Sequence, residues 1–166
     1  MGFQTIDWVE MAGHFGNLVV AYVLALPIGW DREREERSAG IRTFPLVSIA
    51  SCGFALIALR IVDSTTMGQV VQGLIMGVGF IGGGAILKNA AGTSGTATAA
   101  GLWVTGALGA AVGFGLFDIA IVLSLATFLT LRVLSPLKRV VHGGDSQTAG
   151  HVGKDAATPA PETLPR

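Results

Sequence analysis

Five apolar stretches recur along this chain, each about as long as a lipid hydrocarbon layer is thick, and they leave it few folds to choose from. A helix crosses a bilayer with ~20 mainly apolar residues, and the stretches at 15–30, 44–62, 70–87, 98–115 and 119–137 answer to that length. The composition agrees: 51% hydrophobic residues, 13% charged residues and 24 glycines in 166 depart from the mix of a water-soluble domain. The fold class expected is all-α, a polytopic membrane bundle of about five transmembrane helices. The last two stretches would merge into one helix were it not for Gly115 and Asp118. Such a helix would run ~50 Å and overshoot the membrane, so a turn is expected at Gly115–Asp118, with Asp118 capping the next helix.

Charge sets an orientation. Arg32, Arg34, Arg37 and Arg42 lie between the first and second spans, Lys88 follows the third, and Arg132, Lys138 and Arg139 end the fifth. Five spans put all of these on one side, whereas Arg60 alone nears the other, among Asp7, Glu10, Asp63 and Asp118. Basic residues favour the cytoplasmic side, so the amino terminus is expected outside and the carboxyl terminus inside. Four spans give a poorer partition. No cleavable signal peptide is expected, because the first residues carry Asp7 and Glu10 in place of a basic stretch.

Residues 1–14 suit a short periplasmic or interfacial segment, and 138–166, poor in large apolar residues, suit a disordered cytoplasmic tail. The charged loop is expected to begin as a helical extension of the first span, with Arg32 facing Glu36 and Glu33 facing Arg37 at i,i+4, and Gly40 as terminator. Thr66 and Gln69 stand at capping-box spacing before the third span. Cys52 reads as a small buried residue.

Glycines mark the packing surfaces. Gly73 and Gly77 share a helical face, as do Gly79 and Gly83, and Gly82 joins them; Gly109 and Gly113 repeat the spacing in the fourth span. Small residues let helices approach closely in lipid, so the third and fourth spans are expected to pair, within one protomer in preference to a homo-oligomer. Gly77, Gly79 and Gly82 also match a dinucleotide fingerprint, but they sit inside an apolar span with no strand before them, which excludes that reading.

The interiors of spans two to five hold no Asp, Glu, Lys or His, and supply instead Ser48, Ser51, Gln72, Thr105, Ser124, Thr127 and Thr130. A magnesium pore wants carboxylates among its oxygen ligands and is poorly supported. No catalytic constellation, metal site, cofactor site or nucleic-acid motif is present, so the chain is read as non-enzymatic. The loop residues Asp31, Arg32, Glu33, Arg37, Arg42 and Thr43 fix orientation or meet a partner or lipid headgroups.

Three stretches in order resemble one family. Gly29-Trp-Asp-Arg-Glu-Arg-Glu-Glu-Arg-Ser-Ala-Gly-Ile-Arg-Thr43, Gly79-Phe-Ile-Gly-Gly-Gly-Ala-Ile-Leu87 and Thr98-Ala-Ala-Gly-Leu-Trp103, followed by Gly109 and Gly113, are similar to the MgtC/SapB family of bacterial inner-membrane proteins. The resemblance implies a multi-pass inner-membrane protein linked to magnesium homeostasis and virulence, acting through other membrane proteins, the F-type ATP synthase among them; a transporter of Mg²⁺ or another small solute is the alternative. The polar end replaces the family's ACT-type carboxyl-terminal domain, as in its short members. Ser94-Gly95 stands where an Arg-Gly pair is usual, and Asp31 where Glu is commoner.

Overall fold

The computed structural model describes residues 7–89 and 92–142. In chain order α1 covers Trp8–Arg34, α2 Thr43–Ile61, α3 Met67–Gly84, β1 Leu87–Asn89, β2 Gly92–Ser94, α4 Thr96–Gly113 and α5 Phe117–His142. Five helices are long and apolar enough to cross a membrane. The shortest have 18 residues, which at the α-helical rise makes ~27 Å, close to the hydrocarbon thickness. Two compact units divide the chain, one ending at Leu131 and the other starting at Arg132; α5 begins in the first. Residues 1–6 and 143–166, which include parts of the expected interfacial segment and tail, lie outside the described residues.

Helix ends follow local chemistry, and several differ from expectation. α1 starts well before residue 15, because the Asp7 carboxylate accepts from Val9 N at 2.9 Å and Glu10 N at 3.3 Å, an N-cap that holds the first turn. It stops at Arg34, short of Gly40, as Glu36 takes a left-handed conformation at φ 52°. Gly40 instead starts α2, its carbonyl accepting from Thr43 N and Phe44 N. Thr66 offers α3 no side-chain cap; the Asp63 carboxylate takes the Thr66 amide at 2.9 Å.

The third span ends at Gly84, earlier than residue 87, and an antiparallel hairpin follows, pairing Leu87 with Ser94 and Asn89 with Gly92. Gly95 closes it at φ 87°, where a side chain would run into the Ala85 carbonyl. The expected turn between α4 and α5 is present. Leu116 N bonds Ala111 O and Gly115 N bonds Val112 O, with Gly115 at φ 77°, the pattern of a glycine-terminated helix. Asp118 lies inside the first turn of α5, so it meets the helix dipole and is not the residue before it.

α4 is the centre of the bundle. Its buried residues include Gly101, Leu102, Thr105, Gly106, Leu108, Gly109 and Val112, and it packs on α2, α3 and α1, most extensively on α2. That corrects the expected pairing of spans three and four as the closest. Antiparallel α1 and α2 are tied across lipid depth by Ser48 Oγ donating to Ala21 O at 2.8 Å, and Ser124 Oγ of α5 donates to Leu24 O at 2.6 Å. Those two carbonyls flank that of Val23, which loses its usual donor to Pro27. Around the core, Phe54, Ile57, Phe80, Trp103, Leu125 and many other large apolar side chains lie exposed, an outer surface that suits hydrocarbon and not water.

Candidate functional site

Charge is buried at one place among the described residues, the turn that leaves α1. Arg32 is 1% exposed and Asp31 8%. The Arg32 guanidinium donates to the Asp31 carboxylate and lies 3.9 Å from that of Glu35. Glu35 also pairs with Arg37 at 3.0 Å. A desolvated guanidinium is tolerable only with such partners, so two carboxylates hold it where the helix emerges. The i,i+4 pairs expected of a longer helix are absent from these contacts, since α1 ends at Arg34 and turns the following residues away from its axis.

The turn is folded back on its own helix. Glu33 accepts from Ile41 N at 3.1 Å, and its carboxylate fills the space in which Gly40 would otherwise carry a side chain. At Gly29 an added Cβ would lie 3.1 Å from Ile41 Cα and 3.2 Å from Gly40 O, so two glycines let backbone meet backbone. Ser38 Oγ donates to Ala85 O at 3.4 Å, which joins this turn to the end of α3. Arg34 lies over the Trp30 ring at 5.8 Å. Arg42 and Arg37 are exposed and Thr43 is half-buried. Of the predicted residues, Asp31, Arg32 and Glu33 are therefore gathered into one structure, whereas Arg37 sits at its rim and Arg42 outside it. Gly29, Glu35, Ser38 and Gly40 complete it; the spacing of charges in sequence gives no sign of Glu35.

The glycines fall into two groups. An added Cβ at Gly109 would lie 2.8 Å from Ser48 Cα, one at Gly113 2.6 Å from both Cys52 O and Ala55 Cβ, and one at Gly82 3.1 Å from Ala99 O. These three are contacts between helices. By contrast, an added Cβ at Gly73, Gly77, Gly79 or Gly83 would meet nothing within 4 Å among the described residues, so these four mark no close helix contact there. Gly106, which sequence spacing does not single out, meets Val78 of α3.

Gly73 and Gly77 border a groove of about 500 Å³ between α2 and α3, walled by Val47, Phe54, Ile57, Leu74 and Ile81, with Ser51 beside them. A smaller crevice of about 290 Å³ separates the opposite edge of α3 from α4, lined by Val71, Ile75, Trp103 and Ala107. The third helix is thus held by a narrow strip of Val78 and Gly82.

The chain's likenesses to known proteins agree with one another. The family model described as the MgtC family matches residues 18–140. SrpB of Synechococcus elongatus is 36% identical over 148 residues, covering 81% of this chain and 78% of that protein. MgtC of Brucella abortus is 31% identical over 134 residues, 81% of this chain and 56% of its own length. YhiD of Escherichia coli strain K12, which carries the provisional name of a magnesium transporter, is 31% identical over 129 residues, 73% of this chain and 60% of its own. This chain therefore spans little more than half of the MgtC and YhiD relatives. No solved structure matches.

Proposed function

The chain belongs to the MgtC family, and from that premise we propose that it serves Mg²⁺ homeostasis as a non-enzymatic regulator that binds another membrane protein. It is a multi-pass membrane protein. The inner membrane of a bacterium is its proposed place, with the amino terminus outside and Arg34, Arg37, Arg42 and Lys88 on the cytoplasmic side.

One observation carries the regulatory reading. The buried charges, Asp31 and Arg32, pair with each other and with the half-buried Glu35 at the end of a helix, while the buried hydroxyls of Ser48, Thr105 and Ser124 are spent on helix carbonyls. Ion paths expose ionisable or carbonyl groups near the midplane. Here Ser48, Thr105 and Ser124 instead brace helices, and Asp31, Arg32 and Glu35 shape a surface turn, as a contact protein requires.

The competing reading, a transporter of Mg²⁺, is favoured by the name of YhiD. Two measurements separate them. Purified protein in liposomes carrying a magnesium-sensitive dye is expected to give no flux above empty vesicles, and a mild-detergent pull-down is expected to recover a membrane complex. Family resemblance makes the F-type ATP synthase the first complex to look for. Protein-dependent flux that saturates with Mg²⁺, with no co-purifying complex, would overturn the proposal.

A further inference from the structure

The turn from 31 to 42 holds as many acids as arginines, and the fold sorts them. Asp31 and Glu35 are spent on Arg32, Glu35 also takes Arg37, and Glu33 accepts from the Ile41 amide. What is left over is basic. Arg34 and Arg42 are exposed, as is Lys88 of β1, and among the described residues no carboxylate pairs with any of the three. At the opposite end of the bundle Arg60 is matched by Glu10. A loop that is neutral in sequence therefore presents a positive rim. The rim is one patch of structure: the Glu33 bond to Ile41 N holds the residue before Arg42 against the end of α1, which carries Arg34, and Ser38 Oγ donates to Ala85 O, shortly before Lys88.

Trp30 sets the depth of this rim. It is 56% exposed in the last turns of a membrane-crossing helix, and tryptophans so placed settle at the level of lipid headgroups. Arg34 lies over its ring at 5.8 Å; a ring occupies the face of a guanidinium and leaves its edge for phosphate oxygens. Cations without a matching carboxylate, at that depth, call for an anion that the bilayer itself supplies. We propose that Arg34, Arg42 and Lys88, with Trp30 at the boundary, hold the headgroup phosphate of an anionic phospholipid in the leaflet where α1 ends, the cytoplasmic one in the proposed orientation. Arg32 and Arg37 take no part, because carboxylates of the chain already hold them. That division sets headgroup binding apart from the general preference of basic loops for one side of a membrane, which counts every arginine alike. The inference rests on membrane crossing alone and stands whether or not the magnesium reading holds.

The test uses the full chain in neutral detergent, where orientation across a membrane has no meaning. Native mass spectrometry with equal amounts of phosphatidylglycerol and phosphatidylcholine of the same acyl chains is expected to show the anionic lipid retained at least about fivefold more. Arg34→Gln, Arg42→Gln and Lys88→Gln together should bring that ratio to about one, with the melting temperature in phosphatidylcholine unchanged, since all three side chains are exposed. Trp30→Leu, which keeps apolar bulk and removes the ring, should lower the ratio about threefold, and Arg37→Gln should change it by less than about twofold. Equal retention of the two lipids by the wild type would overturn the proposal, as would a preference that survives the triple substitution or falls as far with Arg37→Gln. So would displacement of the lipid by soluble glycerol phosphate or by polyglutamate, which would assign the rim to a free anion or to an acidic protein.

Discussion

Among the described residues Arg32 is the largest fully buried side chain, and its position explains why acids crowd a turn that also carries much of the positive charge of the chain. The guanidinium needs both Asp31 and Glu35, and Glu35 in turn holds Arg37. Removing one member of a buried pair strands the other, which costs ~3–5 kcal/mol. Arg32→Gln is therefore expected to lower stability by about that much, read as thermal unfolding in detergent, and Arg32→Lys by less, since an ammonium keeps the charge but cannot fork between two carboxylates. A wild-type melting curve for Arg32→Gln would show that the cluster contributes nothing to folding. At the other end of α2, hydrogen bonds from Thr66 and Thr65 hold the Asp63 carboxyl below its usual 3.8. A depressed folded value means that its stabilisation is present above the ordinary carboxylate range and is lost as pH falls through the lowered one. The Thr66 amide should accordingly exchange hydrogen faster in Asp63→Ala at neutral pH, and the difference from wild type should vanish in acid.

Between helices, the same residue type has opposite consequences in different places. Gly109 and Gly113 meet backbone of α2, which cannot rotate aside, whereas Gly73 and Gly77 meet nothing. Gly109→Val is thus expected to destabilise by ~3 kcal/mol, the upper range for overpacking, or to prevent folding, with Gly77→Val near neutral in the same unfolding assay. Equal effects at the two sites would refute the assignment of α2 as the partner of α4. The five spans were readable because unbroken apolar length is a strong signal, and Gly115 was readable because a chain reversing in one turn needs a left-handed residue. Which helix α4 would embrace was not. On a helix apolar on all sides, Gly109 and Gly113 announce a close contact without naming the neighbour, and lipid imposes no polar face that would point to it. The end of α3 was hidden for a related reason: Ile86 and Leu87 continue the apolar run into β1, and Gly95 marks the change only once its φ is known.

For the whole molecule, the charged turn was legible as an orientation signal but not as a buried cluster. Residue types show that Arg32 and Glu35 are near in sequence; that α1 stops at Arg34, turning Glu35 toward Arg32 and leaving Glu36 outside, follows from the fold of the loop onto Gly29. Orientation itself yields a prediction. The antiparallel α1 and α2 put Glu10 beside Arg60, so the one basic residue at the amino-terminal end of the bundle is neutralised in place and does not compete with Arg34, Arg37, Arg42 and Lys88 for the cytoplasmic side. In the proposed orientation the α2–α3 connection at 62–66 faces the periplasm, and β1 and β2 face the cytoplasm. The native Cys52 is fully buried and is spared by a charged thiol reagent, so single cysteines report without removing it. Thr65→Cys should label in intact spheroplasts and Thr93→Cys only after permeabilisation. The reverse pattern would invert the bundle. Labelling of both in intact spheroplasts would mean that α3 does not cross, and the close approach of Gly82 to Ala99 would then have to form at a membrane surface, where hydrocarbon no longer favours so thin a seam of glycine and alanine.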